Sequence, residues 1–183
     1  MNDMKKLIMI FNLMAISLIA AAQAYQKETI TFSMGAEVLF AESKLSATHH
    51  TGFGATPKAE YVFGKHASVT VATGFYFMKA KETPLYKFEN ILAFPAKAGI
   101  RYYLGSFYGS GEAGVVFFTG YNQGTAFAYS LGLGDKINFS NHIIDIGLRH
   151  EGWSSADNNN AVISLRLGYE FTILKKAVVN RSL

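Results

Sequence analysis

Ala161-Val-Ile-Ser-Leu-Arg-Leu-Gly-Tyr-Glu-Phe171 decides how the rest of the chain is read. In an extended backbone Ile163, Leu165, Leu167, Tyr169 and Phe171 point one way, and Ser164, Arg166, Gly168 and Glu170 point the other. One face is wholly apolar and the other carries charges of both signs. The run is long enough to cross a bilayer as a tilted strand.

Seven segments upstream repeat this alternation. Residues 29–40 set Ile30, Phe32, Met34, Ala36, Val38 and Phe40 against Thr29, Thr31, Ser33, Gly35 and Glu37. Residues 52–63 set Phe53, Ala55, Ala59, Tyr61 and Phe63 against Lys58 and Glu60. Residues 67–78 set Val69, Val71, Phe75 and Phe77 against Ser68, Thr70, Ala72 and Gly74. In residues 90–104 the polar face carries Lys97 and Arg101; in 107–118, Glu112; in 125–137, Lys136; in 142–153, Asp145, Arg149 and Glu151. The connections alternate too. Long ones (41–51, 79–89, 119–124 and 154–160) are separated by the short turns Gly64-Lys65-His66, Gly105-Ser106 and Asn138-Phe-Ser-Asn141. Long loops at one end and short turns at the other predict an all-β fold, an eight-stranded antiparallel up-and-down transmembrane β-barrel.

Composition agrees with this. Charged residues make up 16% of the 183, against roughly 25% in ordinary soluble domains, which is poor cover for a water-facing surface. The 15 Phe, 10 Tyr and 17 Gly suit strands and tight turns. The net charge of +4 is mild, and no Lys/Arg run with interleaved aromatics argues for nucleic acid. With no cysteine, disulfides, thiolate metal sites and cysteine nucleophiles are excluded. Lys5 and Lys6, an apolar run from Leu7 to Ala22, and Ala22-Gln23-Ala24 read as a secretory signal peptide over residues 1–24. Residues 25–183 would then be the barrel domain.

Alternation does not say which face looks inward, and a soluble lipocalin-like periplasmic binding barrel also alternates. Three features favour the membrane. The polar face is mostly Gly, Ser, Thr and Ala. Its charges balance, with Lys58, Lys97, Arg101, Lys136, Arg149 and Arg166 against Glu37, Glu60, Glu112, Asp145, Glu151 and Glu170, as a closed interior requires. Aromatics collect at segment ends: Phe40, Phe53, Phe77, Phe117 and Trp153 toward one rim, and Tyr61, Phe63, Tyr102, Phe107, Tyr169 and Phe171 toward the other, as in the two girdles of a membrane barrel. Bulges are expected at Pro57 and Pro95, each of which removes a ladder hydrogen bond. Glu112 should face Gly99, with Lys97 and Arg101 as diagonal neighbours.

Ala98-Gly-Ile-Arg-Tyr-Tyr-Leu104, Gly111-Glu-Ala-Gly114, Tyr129-Ser-Leu-Gly-Leu-Gly134, Gly147-Leu-Arg-His-Glu-Gly152 and Leu165-Arg-Leu-Gly-Tyr-Glu-Phe171 resemble small eight-stranded outer-membrane barrels of the OmpX and OmpA transmembrane-domain type. The resemblance implies a cell outer-membrane location in a Gram-negative envelope, contact with outer-membrane lipid and lipopolysaccharide, and insertion by the barrel assembly machinery. It makes Phe171 the terminal aromatic of an assembly signal. It also implies a monomeric, non-enzymatic protein with a structural or surface-interaction role, whose outer loops would meet any extracellular ligand or protein. Eight strands leave a lumen filled by side chains rather than an open pore.

Two alternatives carry chemistry. Arg149-His150 followed by Ser154-Ser155-Ala156 resembles the His-x-Ser-Asn-Ala motif of lipid A deacylases, with His150 and Ser154 as the pair, although the spacing is longer and Glu151 faces inward. His49-His50 in the first long loop is a weak metal motif, and a solvated loop is the plainer reading. No metal site and no cofactor are expected.

Overall fold

The computed structural model describes residues 29–63, 65–82, 88–120, 123–140, 142–156 and 159–175. The signal segment 1–24 and the tail after residue 175 lie outside the described residues. The elements are β1 (Thr29–Ala41), α1 (Ser43–Thr48), β2 (Gly52–Val62), β3 in two parts (Ala67–Thr73 and Phe75–Met78), β4 (Ile91–Leu104), β5 (Phe107–Gly120), β6 (Gly124–Phe139), β7 (His142–Ser154) and β8 (Asn159–Lys175). Each strand pairs antiparallel with the next, and β1 pairs with β8 to close an eight-stranded barrel. Closure satisfies both edges of the sheet, which an apolar solvent demands.

The closing strand sets the register. Ser164, Arg166, Gly168 and Glu170 are buried, while Leu165, Leu167 and Phe171 are exposed. The same parity runs around the barrel, so the apolar face looks outward and the polar face inward. Met34, Val38, Val71, Ile100, Leu131, Leu133, Leu148 and Leu167 form a continuous exterior belt. A soluble lipocalin would have the reverse arrangement.

Both prolines are accommodated without a bulge. Pro57 pairs with Met34 and Pro95 with Val116 in unbroken register. The missing N–H groups instead point at β3, which lies between β2 and β4 and is interrupted at Gly74. The Thr73 hydroxyl donates to the Pro95 carbonyl at 3.0 Å. A Cβ at Gly74 would lie 2.3 Å from the Ala55 carbonyl oxygen, so this close approach requires glycine. The register shift that does occur lies between Ile30 and Thr31, opposite the end of β8. There β8 runs past Phe171, with Ile173 and Leu174 exposed; Phe171 is therefore not the end of the strand. At the same end of the barrel, Gly105 takes φ 73° in the Gly105-Ser106 turn, the left-handed conformation that glycine adopts freely.

Candidate functional site

Three constellations stand out: a charge network in the turn-side part of the barrel, an apolar plug beneath the long loops, and a polar pair on the outer wall.

The interior charges form one chain of alternating sign. Lys58 Nζ contacts Glu112 Oε1, and Glu112 Oε2 lies 3.5 Å from Lys97 Nζ. Lys97 also binds Glu151, whose Oε2 is 3.6 Å from Arg149 Nε. Arg149 binds Glu37, and Glu37 Oε1 is 3.9 Å from Arg166 Nε. Arg166 Nη1 and Arg101 Nη2 share Asp145 Oδ2 at 3.1 and 3.0 Å. Arg101 Nη1 lies 3.1 Å from Glu60 Oε2, which Lys136 Nζ approaches to 2.9 Å before reaching Glu170 at 2.7 Å. All twelve of these side chains are buried. Gly99 faces Glu112, and Lys97 is its neighbour, but Arg101 is not: it turns to Glu60 and Asp145. Glu112 takes Lys58 from across the lumen instead, because a narrow barrel brings distant strands within side-chain reach.

Hydroxyls add hydrogen bonds to several of the carboxylates. Ser164 donates to Glu37 at 2.9 Å and Ser130 to Glu112 at 3.2 Å. Tyr108 donates to Asp145, Tyr103 to Glu60, and Tyr76 accepts from Arg149 Nη2 at 2.6 Å. The Arg101 guanidinium also lies over the Tyr108 ring, 4.1 Å from its centroid. Tyr76 and Tyr103 were missed as network members by sequence reading. Parity is the signal that would have found them, since both occupy inward positions.

The loop-side interior is apolar. Leu39, Tyr76, Met78, Ile91, Val116, Phe118, Trp153 and Val162 form a buried cluster. Trp153 stands inside it and not in the rim girdle where its place near a strand end had put it. It shares parity with Glu151, stacks on Tyr76 at 6.3 Å and meets Phe118 edge-on at 5.3 Å. Its indole N–H donates to Glu151 Oε1 at 2.8 Å, tying plug to network. Gly52 and Gly54 make room: a Cβ at either would come 2.5 Å from Met78 Cγ or Tyr76 Cδ1, respectively.

The first long loop is not simply solvated. Its helix α1 drives Leu45 into the cluster. His49 is buried as well: Nε2 donates to the Glu89 carbonyl at 3.0 Å, and Nδ1 meets the Thr48 hydroxyl at 2.8 Å. Burial pushes its imidazole below its ordinary pKa, the Glu89 carbonyl acts against this, and neighbouring His50 adds to it. Bonds from Lys81 N to Thr48 O (2.7 Å) and His50 N to Lys79 O (2.9 Å) stitch the first two long loops together.

On the outer wall, His150 Nε2 lies 3.0 Å from Glu42 Oε2, a partner brought to it from the far side of β8 by barrel closure. Ser154 Oγ donates to Asn159 Oδ1 at 2.7 Å. Four residues of extended strand separate His150 from Ser154 by about 13 Å. Among the described residues no group of three or more His, Asp or Glu could hold a metal ion.

No protein-family profile and no curated protein sequence matches the chain. Solved structures do. The outer-membrane protein Ail of Yersinia pestis, in a phospholipid nanodisc, is 16% identical with a TM-score of 0.55 over 79% of this chain and 100% of that one. Neisserial surface protein A is 15% identical with a TM-score of 0.55 over 77% of this chain and 95% of its own. Ail crystallised with the heparin analogue sucrose octasulfate is 18% identical with a TM-score of 0.51 over 80% and 100%. The fold is that of an eight-stranded outer-membrane barrel.

Proposed function

We propose that this chain is an integral outer-membrane protein of a Gram-negative envelope, acting as a closed, non-enzymatic scaffold for its long loops. The observation that supports this is the combination of an apolar exterior belt with an interior that carries twelve buried, paired charges and a buried apolar cluster. Eight strands enclose little more than the volume of their own side chains, so a filled lumen favours a structural and surface role over transport. Residues 1–24 would direct export and be removed, the barrel assembly machinery would insert the chain, and the barrel would stand as a monomer in lipid and lipopolysaccharide.

The loops are where a partner would bind. Lys44, His50 and Lys79 are exposed on the joined first and second loops beside the exposed Glu82 and Glu89, a mixed-charge rim open to a polar partner. Cell fractionation tests the core of this reading. The protein should appear in the outer-membrane fraction and run faster on gels before boiling than after it; recovery from the soluble periplasm would overturn it. The deacylase alternative finds little support, because the Ser154 hydroxyl is engaged by Asn159 and stands about 13 Å along the strand from His150. Lipid A from cells with and without the protein should show the same acyl-chain masses.

A further inference from the structure

The outer wall carries a furrow of about 440 Å³, within the ~300–1,000 Å³ typical of small-molecule sites. Leu131, Leu133, Leu148 and Ile163 wall it, and His150 closes its loop-side end. Its origin lies in two exterior glycines of β5. A Cβ at Gly111 would meet Leu131 Cδ2 at 3.7 Å, and one at Gly109 would meet Leu133 Cδ2 at 3.9 Å. The two leucines therefore lean over side-chain-free backbone, which leaves space between β6 and β7.

The polar pair at its head is an anomaly on this face. His150 and Glu42 span β8 from either side, with side chains 47% and 32% exposed. An ionisable pair facing lipid is tolerated near an interface and not at mid-membrane. The neighbouring residues put it at that level. His150 lies one outward-facing step, about 7 Å, below Gly152, over which the Tyr129 ring folds; a Cβ there would sit 2.4 Å from Tyr129 Cζ. A polar head beneath the aromatic rim with an apolar furrow running toward the membrane centre has the polarity profile of a lipid.

We propose that this furrow holds one alkyl chain of a single outer-leaflet glycolipid, whose sugar hydroxyls donate to the Glu42–His150 pair. A carboxylate accepts hydrogen bonds and donates none. The matching headgroup therefore offers hydrogen-bond donors, which a sugar's hydroxyls supply and a phosphocholine headgroup lacks. The furrow is continuous with the lipid-facing belt, so the inference rests on the membrane reading above.

The test uses the full chain inserted in phosphatidylcholine nanodiscs doped with galactosyldiacylglycerol, with retained lipids counted by native mass spectrometry. Wild-type barrel should retain one glycolipid, enriched over phosphatidylcholine on the order of tenfold, as one or two charge-assisted hydrogen bonds allow. Glu42→Ala should abolish the enrichment while leaving chain occupancy, and Leu148→Trp should fill the furrow and remove both. The heat-modifiable gel shift of each variant confirms that it is folded. Equal retention of the two lipids by wild type, or enrichment that survives Glu42→Ala, overturns the site while leaving the membrane reading intact. Failure of the wild type to insert in any bilayer overturns both.

Discussion

The half of the lumen nearest the long loops holds Leu39, Leu45, Met78, Phe118 and Trp153; the half nearest the short turns holds Arg101, Lys136, Asp145, Glu60 and Glu170. Both halves line the same narrow barrel with buried side chains. The plug does so by packing, where shape matters and each contact is small. The network does so by pairing, where each member is costly to bury alone and stable only with its partners in place. The plug should therefore yield gradually to substitution, and the network abruptly.

Asp145→Ala should have the largest effect. It leaves the Arg101 and Arg166 guanidinium groups without the carboxylate they share, at a cost of about 3–5 kcal/mol. Urea unfolding of the detergent-refolded barrel should show the midpoint fall. Leu45→Ala should cost about 2 kcal/mol, at the low end for a buried leucine because a six-residue helix can resettle. Hydrogen exchange should show the loosening confined to Ser43–Thr48 and its contacts. Met78→Leu keeps volume and apolarity and should cost below about 1.5 kcal/mol by the same urea measurement. If Met78→Leu cost as much as Asp145→Ala, the distinction between the halves would collapse.

Acidification should give the smallest change and act on the first long loop, which holds His49. His49 has a lowered folded pKa, so the unfolded segment binds more protons and stability rises with pH. This loop's stabilisation is complete above the unfolded value of about 6.5 and declines below it. Limited proteolysis of the first loop should accelerate on going below that pH; an unchanged rate would mean that His49 is not held neutral by its burial.

These two halves were not equally legible in the sequence. Strict alternation in the closing strand placed Arg166 and Glu170 on one face and Leu165 and Leu167 on the other, and the same parity placed each of the twelve charges. Partner choice was not legible. Lys58 and Glu112 lie on β2 and β5, and only barrel closure and diameter bring them together. The plug was less visible still. Ser43-Lys-Leu-Ser-Ala-Thr48 has one large apolar residue and no periodicity, so Leu45 is drawn in by the cavity beneath it and not by local propensity. Trp153 shows the limit of reading by position: nearness to a strand end suggested a girdle, whereas parity with Glu151 placed it inside. The prolines show the same for backbone, because the accommodation fell on the intervening strand β3 and not on the strands carrying Pro57 and Pro95.

The central claim is that plug and network together seal the lumen. Single-channel recording of the wild-type barrel in a planar lipid bilayer tests it most directly. A sealed lumen predicts a flat baseline after insertion has been confirmed; discrete, long-lived conductance steps from the folded protein would contradict it.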